Sequence, residues 1–473
     1  MNALRCLSWA LVVASTMSFE SAGATPSDPS GPGPYRAGFT QFIAIDATRN
    51  GDSGLGGRPQ IISVFYPVDA ADVGASTAHA IYPFNPIFEP AFGGPPSEKF
   101  EEYGLDPSFT GVTPSKGAPF PLVMYSPGWS AHWLSAIWFG TRLASHGFVV
   151  AVLYHYGDGA FPQDSLPQLA PLAQAAFDRP RDISFALDRI LERNGQVGDL
   201  LFGTVHPDRV AAGGWSLGGY AAMVLASGDD SVCDIEFPFL AHTCVPSLPD
   251  PRIKALVLHD GSSWALWFHE IQRITVPTLA TGQDYETLSG VDEIRAAWHA
   301  RQHAANSGHP SYRVDILRSR HNASFSNSCE IVLVGRDLGL LTPAEAAAFL
   351  SALECFDPTA IPFRTAQEIN LRYAVAFLKT ELARAPGYQE LLTPGWAITR
   401  EPDAQFFVTE KRAAVAPGPS EDGWLDHFWY FTTQPGGDRW HAEKNPVPRP
   451  TEVREPSFDG TSKISRELVI RDE

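Results

Sequence analysis

The sequence predicts an α/β fold: a mostly parallel sheet with helices on both faces, followed by an irregular C-terminal extension. Three observations carry this expectation. Between residues 120 and 317, short apolar runs alternate with stretches of helical periodicity, as in chained strand–helix–strand units. One apolar run, residues 209–212, passes through a tight glycine turn at 213–219 straight into a helix-like run at 220–226. The 473 residues are 44% hydrophobic and 19% charged, enough to bury one large core or two smaller ones.

Residues 1–24 read as a secretory leader. Arg5 supplies the positive end, residues 7–13 a short apolar stretch, and Ala22-Gly23-Ala24 a cleavage site. The stretch is too short to span a bilayer, so the expected location is secreted or periplasmic. Removing the leader takes away one Arg and one Glu and leaves the net charge at −18. Such an acidic surface argues against nucleic acid and anionic membranes as partners. Four cysteines remain, Cys233, Cys244, Cys329 and Cys355. An even number in an exported chain suggests two disulfides, and of the three pairings the sequence neighbours, Cys233–Cys244 and Cys329–Cys355, are favoured. No cysteine spacing resembles a zinc site.

Residues 25–37 are rich in Pro, Gly and Ser and read as a disordered leader to a domain spanning 38–385. Strand-like runs at 39–46 and 60–66 flank a glycine-rich turn at 50–57. Residues 69–118 show little periodicity and form a long surface excursion. Buried strands follow at 120–125 and 148–154, with a helix at 134–145 between them. A second helix at 181–193 precedes the glycine turn. Strands at 253–259, 276–281 and 312–317 complete the sheet, a helix at 291–305 separating the last two. Helical periodicity returns across 342–384. The extension, residues 386–473, is Pro-rich and charged towards its end, with Trp424, Phe428, Trp429 and Trp440, and reads as a loosely folded appendage. In sheets of this kind, reactive groups gather at the carboxyl ends of the strands.

The turn contains Gly214-Trp215-Ser216-Leu217-Gly218, a G-x-S-x-G pattern with a strand before it and a helix after it. Glycines suit that place because the bend is too sharp for side chains two residues either side of the serine. A serine so presented needs a base, an acid and an oxyanion hole. His321 follows the last strand and is the candidate base. The Leu217 N–H, next after the serine, is one candidate oxyanion donor. The other is the N–H of Trp129, in the loop Ser126-Pro127-Gly128-Trp129 after the first buried strand. Asp260 ends the strand 253–259 and is a candidate acid, as are Asp284 and Glu286 after the next strand.

These residues carry a resemblance. The strand-Pro-Gly-aromatic loop, the Gly-Trp-Ser-Leu-Gly-Gly turn and the strand-then-His order resemble α/β hydrolases of the platelet-activating factor acetylhydrolase and cutinase-like lipase group. The chain looks closest to secreted bacterial proteins described as predicted dienelactone hydrolases. Residues 42–46 with Arg58 and residues 64–67 look like that group's opening strands, and residues 179–188 like its helix before the turn. The resemblance covers residues 38–385 and leaves the extension unexplained. It implies a serine esterase or lipase that needs no cofactor and acts on a small-molecule, lipid or polyester ester. True dienelactone hydrolases use a cysteine where Ser216 stands, so that chemistry does not carry over. A peptidase on the same scaffold and a non-catalytic binding protein are the alternatives. Glu286 falls where the cutinase segment carries its acid, and Asp260 where the acetylhydrolases carry theirs. Aspartate's shorter arm and its strand-end place favour Asp260.

Other polar groups have blander readings. His299 and His303, four apart on a helix, could clasp a metal, but no third ligand is evident and a solvated helix face is expected. His155, Tyr156 and Asp158 follow a strand end and are expected to line the pocket. Trp133, Trp138, Trp264 and Trp267 suit an acyl pocket or plain core packing.

Overall fold

Runs such as Phe120–Ser126 and Val149–His155 are buried at every position. Only a strand covered on both faces accommodates that. The computed structural model of the chain describes residues 28–49, 54–84, 93–157, 172–233, 245–263, 266–284, 299, 302–303, 305, 309–409, 453–454 and 467–468. The leader at 1–24, the cysteine Cys244, Asp158, Trp264 and Glu286 lie outside these residues.

A ten-stranded sheet organises the described chain. Its strands are β1 (Tyr35–Asp46), β2 (Arg58–Asp69), β3 (Ser108–Phe109), β4 (Phe120–Ser126), β5 (Val149–His155), β6 (Val205–Trp215), β7 (Ile253–His259), β8 (Thr278–Gln283), β9 (Ser311–Ile316) and β10 (Ala404–Thr409). The spatial order is β10-β9-β8-β7-β6-β4-β5-β2-β1-β3. Strands β5, β4, β6, β7, β8 and β9 run parallel. Strand β2 pairs antiparallel with β5, β1 antiparallel with β2, and β10 antiparallel with β9. From β4 the chain moves outward to β5 and then returns to place β6 on β4's other side. The switch point therefore lies at the carboxyl ends of β4 and β6, where a doubly wound sheet opens a crevice.

After a short first helix α1 (Ser97–Glu101), helices cover both faces. Along β4, Val123 and Tyr125 face one core with α2 (Ile137–Ser145) and the helix Phe363–Phe377. Leu122 and Met124 face the other, under α3 (Leu172–Gly195) and α4 (Leu217–Ser227). The period-2 alternation of the strand thus feeds two cores at once. Helix α3 begins well before residue 181. Pro180 sits inside it and interrupts the pattern on which a sequence reading relies.

Two expectations need correction. The described part of the 25–37 leader, residues 28–37, is placed and docked rather than disordered. The Gly33 N–H donates to Ser145 Oγ at 2.9 Å, His146 Nε2 lies 2.9 Å from the Gly31 carbonyl, and Arg372 donates to Ser30 Oγ at 3.0 Å. Glycine-rich composition predicted disorder, but side chains distant in sequence satisfy its backbone. His299 and His303 are buried, not solvated. His299 Nε2 lies 2.7 Å from Asp315 Oδ1 and His303 Nδ1 lies 2.9 Å from Ser311 Oγ, both partners being on β9. Among the described residues no group of three or more His, Cys, Asp or Glu is arranged to hold a metal. Strand β10 comes from inside the span assigned to the extension and joins the main sheet.

Cys329 and Cys355 form a disulfide, 26 residues apart in sequence, as the neighbour pairing expects. It fastens the helix Ser328–Asp337 to the turn after the helix Pro343–Ala352. Closing a loop of that length restricts the unfolded chain by about 3 kcal/mol. Replacing both cysteines by Ala is expected to lower unfolding free energy by about 2–4 kcal/mol in urea titrations. Nearby, burial pushes the Glu330 carboxyl up to about 7. A carboxyl that holds its proton more tightly when folded favours folding at low pH, and that contribution is lost as pH rises through the folded value. Glu330→Gln is therefore expected to flatten the fall in Tm between pH 5 and pH 8.

Candidate active site

Ser216 sits between β6 and α4 at φ 55° and ψ −122°. A serine is rarely found in that region, and only the surrounding packing holds it there. The packing is tight. A Cβ on Gly218 would come within 1.8 Å of the Ser126 carbonyl oxygen, and one on Gly214 within 2.3 Å of the Gly218 backbone. The glycines let α4 start directly against the end of β4. The Ser216 N–H donates to the His259 carbonyl at 3.1 Å, and its carbonyl accepts from Ser262 N–H at 3.0 Å. The bend is thereby tied to β7 as well.

Strand β7 ends one residue before Asp260, which turns at φ 42° and donates its N–H to the Thr281 carbonyl at 2.6 Å. Its carboxylate meets the base candidate: Asp260 Oδ2 lies 2.5 Å from His321 Nδ1. Both side chains are buried, Asp260 at 1% and His321 at 4% exposure. An ionised carboxylate only accepts, so in the neutral imidazole Nδ1 carries the proton and Nε2 the lone pair. Trp215, the residue before Ser216, holds the turn that carries His321. Its Nε1–H donates to the His321 carbonyl at 3.1 Å, and the two rings lie 5.2 Å apart.

Asp284 does something else. It is buried, and its Oδ1 accepts the Arg318 backbone N–H at 3.0 Å. Arg318 stands at φ 57°, three residues before His321. The carboxylate braces the turn that delivers the histidine.

Leu217 is the first residue of α4, so its N–H has no acceptor within the helix. The Trp129 N–H has no acceptor among the described residues. The residue is 38% exposed. Gly128 is required for space: a Cβ there would lie 2.7 Å from the Trp215 ring. Trp133 and Trp138 are buried in the core on the α2 face. His259 is held neutral by burial, its value lowered to about 3, and its Nδ1 lies 2.9 Å from the Tyr125 hydroxyl.

His155 and Tyr156 do not line an open pocket, since both are buried. His155 belongs to a polar network behind the Ser126–Trp129 loop, together with Arg179 and Asp182 of α3. Sequence reading missed this group. The signal was a charge on an apolar stripe: Arg179 lies four residues before Ile183 and eight before Leu187, both core residues.

Comparisons with known proteins bear on the same region. A family model described as PET hydrolase-like matches residues 112–235, which include Trp129, Ser216 and Leu217 but neither Asp260 nor His321. Cutinase est2 of Thermobifida alba is 28% identical over 197 residues, 41% of this chain and 52% of that protein. Cutinase cut1 of Thermobifida fusca is 28% identical over 230 residues, 46% of this chain and 59% of that protein. The chain thus spans a little over half the length of these curated relatives. A ferulic acid esterase from Streptomyces cinnamoneus superposes with a TM-score of 0.50 at 18% identity, over 79% of this chain and 96% of that one. That likeness shows the fold, which is an α/β hydrolase.

Asp284→Ala is expected to leave the Arg318 N–H without its acceptor and to cost about 1–3 kcal/mol of stability in urea denaturation. An unchanged midpoint would show that the turn does not need the brace.

Proposed function

We propose that the chain is a secreted serine hydrolase of carboxylic esters, working through an acyl-serine. The observation that carries this reading is the pairing of Asp260 with His321, whose ring lies 5.2 Å from that of Trp215, the residue before a serine held at positive φ. The Ser216 hydroxyl attacks the ester carbonyl carbon as His321 Nε2 takes its proton. Asp260 holds the imidazole in the tautomer that leaves Nε2 free, and stabilises the imidazolium that forms. Negative charge moves onto the carbonyl oxygen, where the Leu217 and Trp129 amides donate to it. The intermediate collapses, the C–O bond to the alcohol breaks, and the alcohol leaves with the proton from His321. Water then repeats the sequence on the acyl-serine, with His321 as base, and releases the acid.

Cutinases among the relatives and the PET hydrolase-like match support an ester with a short or moderately apolar acyl part, a polyester included. The acetylhydrolase likeness rests on Asp260, at the end of β7 rather than after β8. A disulfide between Cys329 and Cys355 suits an oxidising compartment and supports export. No helix among the described residues is long and apolar enough to cross a membrane.

A fluorophosphonate probe is expected to label the protein at one residue, and Ser216→Ala to abolish both labelling and turnover of p-nitrophenyl butyrate. Asp260→Ala is expected to lower kcat by about 10⁴, with a much smaller loss for Asp284→Ala. Equal losses for the two carboxylates would contradict the assignment. A parallel panel of peptide anilides is expected to show no turnover.

A further inference from the structure

Behind the Ser126–Trp129 loop lies a second Ser–His–Asp chain. Ser126 Oγ is 2.9 Å from His155 Nε2, and His155 Nδ1 is 2.9 Å from Asp182 Oδ2. Ser126 and Asp182 have no exposed surface and His155 has 3%, so no substrate reaches the hydroxyl. Arg58 grips both oxygens of Asp182 at 2.8 Å, and Arg49 approaches to 2.7 Å. Burial opposes the carboxylate's charge, but these guanidinium groups outweigh it and hold Asp182 well below the usual range.

That charge makes Asp182 an acceptor from every partner. Asp182 only accepts, so His155 Nδ1 carries a proton and donates. With the imidazole neutral, His155 accepts at Nε2 and the Ser126 O–H donates to it. The Ser126 oxygen is left to accept, and Arg179 Nη1 donates to it at 3.2 Å. The same guanidinium reaches the oxyanion loop. Nη1 donates to the Pro127 carbonyl and Nη2 to the Gly128 carbonyl, the latter at 2.8 Å. The Gly128 oxygen also accepts from Ala131 N–H at 3.1 Å, closing a turn with Ser130 at φ 63°. In a planar trans peptide the C=O and the following N–H point in opposite directions. Holding the Gly128 carbonyl towards α3 therefore turns the Trp129 N–H the other way, out towards the crevice.

We propose that Arg179 is a positioning residue for the oxyanion hole, aiming the Trp129 amide by holding the Pro127 and Gly128 carbonyls, and that Ser126, His155 and Asp182 fix the orientation of its guanidinium. This deepens the ester-hydrolase reading and rests on it. The four side chains touch no substrate. They act by denying the loop any conformation in which the amide looks away from the developing charge, and such prearranged donors stabilise a transition state because nothing must reorganise during reaction.

The test compares an oxoester with its thionoester, in which sulfur replaces the carbonyl oxygen and accepts hydrogen bonds poorly. In Arg179→Lys the charge remains but the two-pronged grip is lost. The expected result is a fall in kcat of about 10²-fold for the oxoester with little change in KM, and a much smaller fall for the thionoester. The oxo-to-thiono rate ratio then drops by about tenfold or more. Losses in equal proportion on both substrates, or no loss on either, would overturn the proposal. Should Arg179→Lys fail to fold, Ser126→Ala removes one link without stranding a charge. Its ratio is expected to drop severalfold, and a wild-type ratio there would overturn the proposal equally. Ser216→Ala separates the two levels: if it keeps oxoester turnover, the hydrolase reading itself falls. If it abolishes turnover while the ratio stays at its wild-type value in the other variants, only the positioning role falls.

Discussion

The contact on which the site depends is the meeting of three backbone segments with no side chain between them. The start of α4 lies against the end of β4, close enough that a Cβ on Gly218 would overlap the Ser126 carbonyl. The Ser216 amide and carbonyl are at the same time bonded to the end of β7 and the loop after it. That pinch holds Ser216 at its positive φ. It also sets the distance between the serine, the Asp260 turn and the Trp129 loop, which are carried by adjacent strands. Loss of either glycine would push the strands apart before it changed any reactive group.

Around this pinch the molecule buries an unusual amount of charge. Asp182, Arg179, Arg58, Asp315 and Asp260 are all below one-tenth exposed. Each costs desolvation energy that only near-complete hydrogen bonding offsets. Replacing such groups with apolar ones commonly stabilises a fold, so stability alone is a poor account of why they are here. Geometric definition is a better one. The guanidinium links at both ends, Arg58 to Asp182 and Arg179 to the Gly128 carbonyl, can only run from donor to acceptor one way, and the Arg313–Asp315–His299 cluster similarly holds the segment that precedes the His321 turn.

Much of the architecture was legible because parallel strands covered on both faces are continuous apolar runs. Residues 120–125, 148–154 and 253–259 could hardly be anything else. The serine turn was legible because a sharp bend needs small residues at fixed offsets. What escaped reading needed partners far away in sequence. The burial of His299 and His303 depends on Asp315 and Ser311 facing them from β9, which helical periodicity cannot reveal. The docking of residues 28–37 depends on Ser145, His146 and Arg372. The acid remained open because Asp260 and Asp284 both follow strand ends within one sheet edge. Strand order separates them: β7 neighbours β6, whereas β8 is one strand further from the serine. Pro180 hid the first turns of α3, and the reach of Arg179 to the Pro127 and Gly128 carbonyls could not be read from residues 179–188 alone.

The central claim is that Ser216 carries the acyl group between two displacements assisted by His321. Rapid acid quenching of a p-nitrophenyl ester reaction, followed by intact-mass and peptide mapping, tests it most directly. A mass increase equal to the acyl group on the peptide containing Ser216, formed with the burst of nitrophenol and decaying at the turnover rate, is the predicted result. An adduct on another residue, or turnover with no adduct at any quench time when nitrophenol release is stoichiometrically faster than acid release, would contradict it.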